Sequence, residues 1–190
     1  MKKIVLVLIF LLVAASLFAD IQVGGAFGLN RNSHFEWESS SKAGFEVGAF
    51  ANIYLSRIFS IQPEFNFIYF RVGREIWMGG LQNGTATYRF FEIPVLAKFN
   101  FGDFSVFLGP AMQIILGDIN VEWNGGSSSF PPYNRSVFGA IAGIGYALPV
   151  GNGDLIFDLR FRLIGTHERY HAFPSGSTIG FRVGYAFWLW

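Results

Sequence analysis

The sequence has 190 residues, the length of one domain of ordinary size. Fourteen basic and thirteen acidic residues give a net charge of +1, which excludes the strongly basic surface that nucleic-acid binding requires, and the absence of cysteine excludes disulfides and thiolate metal sites. Hydrophobic residues make up 52% of the sequence, yet after the first twenty residues no uncharged apolar run is long enough for a membrane-spanning helix.

Residues 1–19 have the pattern of a secretory signal peptide. Two lysines are followed by an uncharged run that ends at Phe18 and then by the small residue Ala19. The run is shorter than the roughly 20 residues that a spanning helix needs. We predict that residues 1–19 are removed on export, with cleavage after Ser16 as the alternative, and that residues 20–190 form one barrel domain.

Beyond the signal peptide, apolar and polar residues alternate in eight blocks that are separated by turn residues. Alternation with a period of two places successive side chains on opposite faces of a β-strand. Each block is close to the roughly 9 to 11 residues with which a tilted strand crosses a bilayer. The eight predicted strands cover residues 21–30, 44–56, 59–70, 89–100, 104–115, 137–148, 155–163 and 179–190.

The apolar face of these strands carries no charge. In the second block, for example, Phe45, Val47 and Ile53 share one face, whereas Glu46 and Asn52 share the other. An eight-stranded barrel has an interior just wide enough for side chains, so this wide and aromatic face must point outward. In water such a surface would aggregate, and lipid is the consistent solvent. A secreted, soluble lipocalin-like binder is the alternative.

The predicted connections alternate in length. Arg57–Ile58, Phe101–Asp103 and Pro149–Asp154 are short enough for hairpin turns. The other connections are rich in Gly, Ser, Asn and Pro and cover residues 31–43, 71–88, 116–136 and 164–178. Short periplasmic turns and long extracellular loops are typical of outer-membrane barrels. The sequence therefore predicts an all-β fold, an eight-stranded antiparallel up-and-down transmembrane β-barrel.

Four motifs carry a family resemblance: FSIQPEF at 59–65, FEIPVLAKF at 91–99, FLGP at 107–110 and FGAIAGIGY at 138–146. With these motifs the sequence resembles the outer-membrane β-barrel domain family often called PorT-like, among the small eight-stranded OmpA/OmpX-type barrels. The resemblance implies a bacterial outer-membrane location and contact with outer-membrane lipid. It also implies recognition by the barrel-assembly machinery, since family members usually end on an aromatic residue, as Trp190 does.

Three prolines lie inside predicted strands, where each removes a hydrogen bond from the ladder: Pro63, Pro94 and Pro110. The resemblance implies that family members keep prolines at such positions. We therefore expect β-bulges at the three prolines, because a bulge accommodates an unpaired residue within a strand.

The face opposite the apolar one holds four carboxylates and four cations. They are Glu46, Glu64, Glu92 and Asp158, and Lys98, Arg160, Arg162 and Arg182. Balanced charges in a confined lumen can form a proton or ion path, or a network of ion pairs that fills the barrel. The network is favoured because eight strands leave little room for conduction. We do not expect a general diffusion porin.

His167, Glu168 and His171 match the zincin pattern H-E-x-x-H, in which two histidines on a helix bind zinc and the glutamate acts as a base. Here the motif lies in a predicted loop, and no His, Asp or Glu follows His171. The three residues are therefore weak candidates for a metal site, and we expect no cofactor. Two enzymatic alternatives stay open: metal-dependent hydrolysis by this loop, and lipid A modification by loop histidines and serines.

Aromatic residues in the long loops indicate another kind of site. Most of them are expected in belts at the membrane interfaces. Trp37 and Trp123 lie far from the predicted strand ends and are the candidates for binding through the loops. The sequence thus favours a non-enzymatic barrel that is structural or that binds an extracellular or envelope ligand, and it does not identify that ligand.

Overall fold

A computed structural model of the protein describes residues 20–33, 43–77, 81–132, 136–164 and 176–189. The predicted signal peptide therefore lies outside the described residues. The same holds for Trp37, Trp190 and the motif of His167, Glu168 and His171.

The described residues form ten β-strands, numbered in chain order. They are β1 Asp20–Ser33, β2 Ala43–Tyr54, β3 Phe59–Trp77, β4 Leu81–Phe101, β5 Phe104–Ile115, β6 Ile119–Trp123, β7 Gly126–Phe130, β8 Ser136–Val150, β9 Gly153–Ile164 and β10 Gly176–Trp188. None of the described residues belongs to a helix that is long and apolar enough to cross a membrane.

Eight of these strands close into a barrel. They pair antiparallel in the order β1, β2, β3, β4, β5, β8, β9 and β10, and β10 pairs with β1. The predicted eight-stranded antiparallel up-and-down barrel is thus confirmed. Since β3 and β9 are four strands apart in either direction, they lie on opposite walls.

Short turns join the strands at one end of the barrel, which we call the turn end; the opposite end is the loop end. The turns are residues 55–58, 102–103 and 151–152, in agreement with the three predicted hairpins. Gly102 and Gly151 have φ angles of 66° and 64°, a left-handed conformation that residues with a Cβ atom rarely adopt. These two glycines allow tight turns.

The alternation of residue types sets the two faces of the barrel wall. Leu29 and Phe181 are 61% and 51% exposed on the outside, whereas the adjacent Asn30 and Arg182 are 4% and 2% exposed. Large apolar side chains cover the outer wall on every strand of the barrel. The apolar face of the wall thus points outward, and polar and charged side chains such as Arg182 point into the lumen.

Two of the predicted long loops are largely strand, so this part of the prediction was wrong. β3 continues to Trp77 and β4 begins at Leu81, and β6 pairs with β4 beyond the barrel. An apolar cluster inside the loop end holds these strands together; its members are Ile68, Phe70, Ala86, Tyr88, Phe90, Ile115 and Ile119. The sequence pattern indicates loops in these segments because Gly, Ser and Asn lie between the apolar members.

The three prolines interrupt strand pairing without shifting its register. β3 and β4 pair in one unchanged register on both sides of Pro63 and Pro94. β4 and β5 do the same on both sides of Pro110, which pairs directly with Ala140 of β8. A bulge inserts an extra residue and would shift the register. The expected β-bulges were therefore wrong, and each proline removes pairs locally while the ladder resumes beside it.

Candidate functional site

The eight charged residues predicted for the lumen lie inside the barrel on five of its strands. Glu46 is on β2, Glu64 on β3, Glu92 and Lys98 on β4, Asp158, Arg160 and Arg162 on β9, and Arg182 on β10. None of them is more than 5% exposed. The period of two along each strand turns them all inward. Charges this far from water need partners, since an unpaired buried charge is strongly destabilising.

Glu64, Asp158, Arg160 and Arg182 form the middle cluster of the lumen. Nη1 and Nη2 of Arg160 donate to the two carboxylate oxygens of Glu64, at 2.7 Å each. Both terminal nitrogens of Arg182 also donate to Glu64, at 3.0 and 3.1 Å. Oδ2 of Asp158 accepts from Arg160 at 3.0 Å and from Arg182 at 2.7 Å. Two guanidinium groups thus bridge the same two carboxylates, and each binds Glu64 in the bidentate geometry that is strongest.

Two amides and one ammonium group extend the middle cluster. Gln62 and Asn66 donate to the carboxylate of Glu64 at 2.5 and 2.8 Å. Lys98 donates to Oε1 of Gln62 at 3.3 Å, and no carboxylate among the described residues lies within 4 Å of its ammonium group. Lys98 is therefore a third buried cation in a cluster that has two carboxylates, and it reaches one of them, Glu64, through Gln62.

Two aromatic rings in the lumen face the arginines of the middle cluster. The guanidinium carbon of Arg160 lies 5.2 Å from the ring centre of Phe107, and that of Arg182 lies 5.3 Å from the ring centre of Phe50. Such cation–π contacts add stabilisation where water is excluded. Neither ring is among the predicted site residues, because both are apolar members of the inward face; their parity on β5 and β2 is the signal that could have identified them.

Arg162, Glu46 and Glu92 form the upper cluster, nearer the loop end. Nε of Arg162 donates to Glu92 at 3.1 Å, and its Nη2 donates to Glu46. Gln113 donates to the second oxygen of Glu92 at 2.8 Å. One cation here lies between two carboxylates. The upper cluster therefore carries one excess negative charge. This charge offsets the one excess positive charge that Lys98 gives to the middle cluster.

Aromatic side chains fill the lumen above the upper cluster. The rings of Phe70, Tyr88 and Phe90 lie with their centres 5.1 to 6.2 Å apart. A cavity of about 10 Å³, lined in part by Asn30 and Gln113, separates them from Arg162. This volume holds about one water molecule. Ion pairs and packed rings thus fill the described part of the lumen and connect its walls.

Of the two tryptophans predicted to bind through the loops, Trp123 falls within the described residues. It ends β6, where it pairs with Gly84 of β4 and Gly126 of β7, and its side chain is half-buried. The expectation that Trp123 lies far from a strand end was therefore wrong. The hairpin of β6 and β7 was not recognised, because its strands are five residues each.

A closed barrel with an apolar outer wall and charges inside defines a transmembrane β-barrel. Residues 14–164 match the family described as outer membrane protein beta-barrel domain, and the chain belongs to this family. It is a protein of the bacterial outer membrane. In such barrels the short turns face the periplasm and the longer connections face outward, which predicts that the loop end is extracellular.

Solved structures of outer-membrane proteins resemble this fold. Neisserial surface protein A shares 14% identity over 88% of this chain and 96% of that chain, with a TM-score of 0.51, which shows the fold alone. Ail of Yersinia pestis, solved with the heparin analogue sucrose octasulfate, shares 13% identity over 90% of this chain and 99% of that chain (TM-score 0.49). OprG of Pseudomonas aeruginosa shares 9% over 90% and 93% (TM-score 0.45). No curated protein matches the sequence.

Proposed function

We propose that this protein is a non-enzymatic, non-conducting outer-membrane barrel that holds a recognition surface outside the cell. The recognition surface is the part of the wall that extends beyond the barrel, which we call the protruding sheet: residues 71–77, 81–88, 119–123 and 126–130. The observation that carries the proposal is the free edge of β7, which pairs with β6 and with no other described strand.

The free edge of β7 offers main-chain hydrogen bonds to a partner. β6 and β7 are joined by a two-residue turn, with Trp123 opposite Gly126. The pair beside such a turn exchanges hydrogen bonds, and pairs then alternate, so the amides of Ser127 and Ser129 point away from β6. Both serines are exposed, as is Phe130. An edge of this kind can accept an added strand, and an extended polypeptide of an extracellular or envelope partner is the ligand that we propose.

The filled lumen supports the absence of conduction. The middle and upper clusters are buried, and the aromatic rings of the apolar cluster lie above them. Eight strands leave an interior that side chains can fill. We expect the purified protein to insert into planar lipid bilayers without discrete current steps. Stable steps at neutral pH would contradict this part of the proposal.

Peptide selection tests the recognition surface. A phage library of short unstructured peptides is panned against the purified protein in nanodiscs, and the affinity of enriched peptides is measured by fluorescence anisotropy. Ser127→Pro removes a donor from the free edge, and we expect it to weaken binding by about tenfold or more. Ser127→Ala keeps the amide and is the matched control. The proposal would be contradicted if Ser127→Pro bound the selected peptides as tightly as the original protein, or if the selection enriched no peptide.

A further inference from the structure

Three arginines on the outer wall face away from the lumen at the loop end of the barrel. They are Arg31 on β1, Arg71 on β3 and Arg89 on β4, and all three are exposed. The residues beside them in sequence, such as Asn30, Phe70 and Tyr88, are buried inside. The three arginines therefore stand on the lipid-facing side of the wall, where charged side chains are unfavourable unless they reach the membrane interface.

Strand register places two of the arginines close to each other on the outer wall. Arg71 pairs with Thr87, and Arg89 lies two residues along β4 from Thr87, so the two arginines are diagonal neighbours on the same face. Diagonal neighbours have their Cα atoms roughly 7 to 8 Å apart, close enough for two guanidinium groups to hold one anion. Arg31 pairs with Ala43 of β2, the strand between β1 and β3. The register thus puts Arg71 and Arg89 within reach of one anion, and Arg31 lies two strands from Arg71, with Ala43 of β2 beside it.

Aromatic rings cover the wall on the membrane side of the arginines. Phe45 stacks on Phe27 and on Tyr69, with ring centres 6.5 and 5.2 Å apart. Phe91 contacts Phe65 and Phe67, with ring centres 4.9 and 6.1 Å apart. These rings form a continuous apolar surface over β1 to β4. A row of cations above an aromatic wall matches a molecule that has anionic groups at one end and hydrocarbon at the other.

Arg71 and Arg89 have no ion-pair partner among the described side chains. No described carboxylate lies within 4 Å of the guanidinium group of Arg71 or Arg89. Two exposed carboxylates lie further along the wall, Asp118 just before β6 and Glu122 on β6. Across the barrel, the outward residues near the loop ends of β5, β8, β9 and β10 are uncharged: Ile114, Ser136, Leu163 and Ile179. Among the described residues at the loop end, the outward positive charge therefore lies on the side of β1 to β4.

We propose that Arg71 and Arg89, with Arg31 beside them, bind the phosphate group of a phosphorylated lipid in the outer leaflet, whose acyl chains lie against the aromatic wall of β1 to β4. Guanidinium groups bind phosphate through paired, charge-assisted hydrogen bonds. At the membrane surface such contacts gain from the attraction between cations and anionic headgroups. The site is separate from the free edge of β7 and stands independently of the proposed peptide recognition.

Lipid binding by the purified protein tests this site. Bisphosphorylated lipid A is the probe, and native mass spectrometry of the protein released from detergent micelles measures the lipid-bound fraction. We expect Arg71→Gln with Arg89→Gln to weaken binding by about tenfold or more, and the matching double lysine variant to weaken it less, because lysine keeps the positive charge and loses only the paired hydrogen bonds. Arg57→Gln, which removes an exposed arginine at the turn end, is the control and should leave binding unchanged.

Two further measurements decide the outcome. The unheated and boiled forms of each variant are compared on a gel, so that loss of binding is scored in a folded barrel. Inorganic phosphate at the same concentration should not displace the bound lipid A. Displacement would assign the site to free phosphate and would contradict the proposal of a lipid ligand. Equal binding by the double glutamine variant, or an equal loss in Arg57→Gln, would likewise overturn the proposal.

Discussion

Arg160 and Glu64 join opposite walls of the barrel through two hydrogen bonds of 2.7 Å. Arg160 is on β9 and Glu64 on β3, so three strands lie between them in either direction around the wall. Arg182 of β10 contacts the same carboxylate. The barrel is therefore braced across its diameter as well as around its circumference. Since both sides of these contacts are buried, each charge depends on its partner for stabilisation.

Removing the charge of Glu64 is expected to weaken the whole barrel. Glu64→Gln leaves Arg160 and Arg182 with Asp158 as their shared carboxylate. Breaking one side of a buried ion-pair network costs about 3 to 5 kcal/mol, and we expect the free energy of unfolding in urea, measured in lipid vesicles, to fall by that amount. Glu122→Gln at an exposed site is the control. A loss below about 1 kcal/mol for Glu64→Gln, the range of a surface pair, would show that the brace adds little.

Lys98 and Arg160 are both buried cations, and we expect their replacement by Met to have different effects. Arg160→Met removes the bidentate partner of Glu64, so the free energy of unfolding should fall by about 3 to 5 kcal/mol. Lys98→Met removes a cation that donates to Gln62 beside an excess of positive charge. Its effect should stay within about 1 kcal/mol, because a side chain of similar volume replaces it. Equal losses in the two variants would contradict this assignment.

Leu159 tests whether the outer wall faces lipid. It lies in the middle of β9 and is 48% exposed. An arginine near the middle of the lipid-facing wall costs about 2 to 4 kcal/mol, and we expect Leu159→Arg to lower both the free energy of unfolding and the yield of folding into vesicles. Leu159→Phe keeps the surface apolar and is the control. If Leu159→Arg is as stable as the original, the wall faces water, as it would in a soluble binder.

The inward position of the charges can be predicted from sequence, whereas their pairing cannot. Glu64 lies between Pro63 and Phe65, and Arg160 between Leu159 and Phe161, so the period of two alone assigns both charges to the lumen. Their contact joins residues that are 96 positions apart. It depends on strand order and on the stagger of the closed barrel, and neither is encoded in a local pattern.

The protruding sheet was missed for a related reason. Ser127 to Ser129 show no alternation of apolar and polar residues, so β7 has no strand pattern of its own and depends on pairing with β6. The unchanged register at Pro63 and Pro94 also depends on neighbours, because the pairs on both sides hold the strands in place. Local rules treat a proline in a strand as a bulge or an edge, and here the closed ladder overrides them.

Ile119 is expected to hold the β6–β7 hairpin in place. It is 6% exposed in the apolar cluster, whereas Phe130, its partner on β7, is 49% exposed. Ile119→Ala removes buried methyl groups, which costs about 2 to 5 kcal/mol, and the loss should fall on the hairpin because the barrel closes without it. In nanodiscs, proteinase K should then cleave between Ile119 and Phe130 faster than in the original protein.

Phe130→Ala is the control for Ile119→Ala, and it should leave the rate of cleavage unchanged. Binding of the selected peptides should weaken in Ile119→Ala, because a loosened edge must be ordered before a strand can be added to it. The heat-dependent gel shift of the barrel should remain in both variants. If Ile119→Ala is cleaved no faster than Phe130→Ala, pairing with β4 alone holds the hairpin, and the apolar cluster has no part in positioning the free edge.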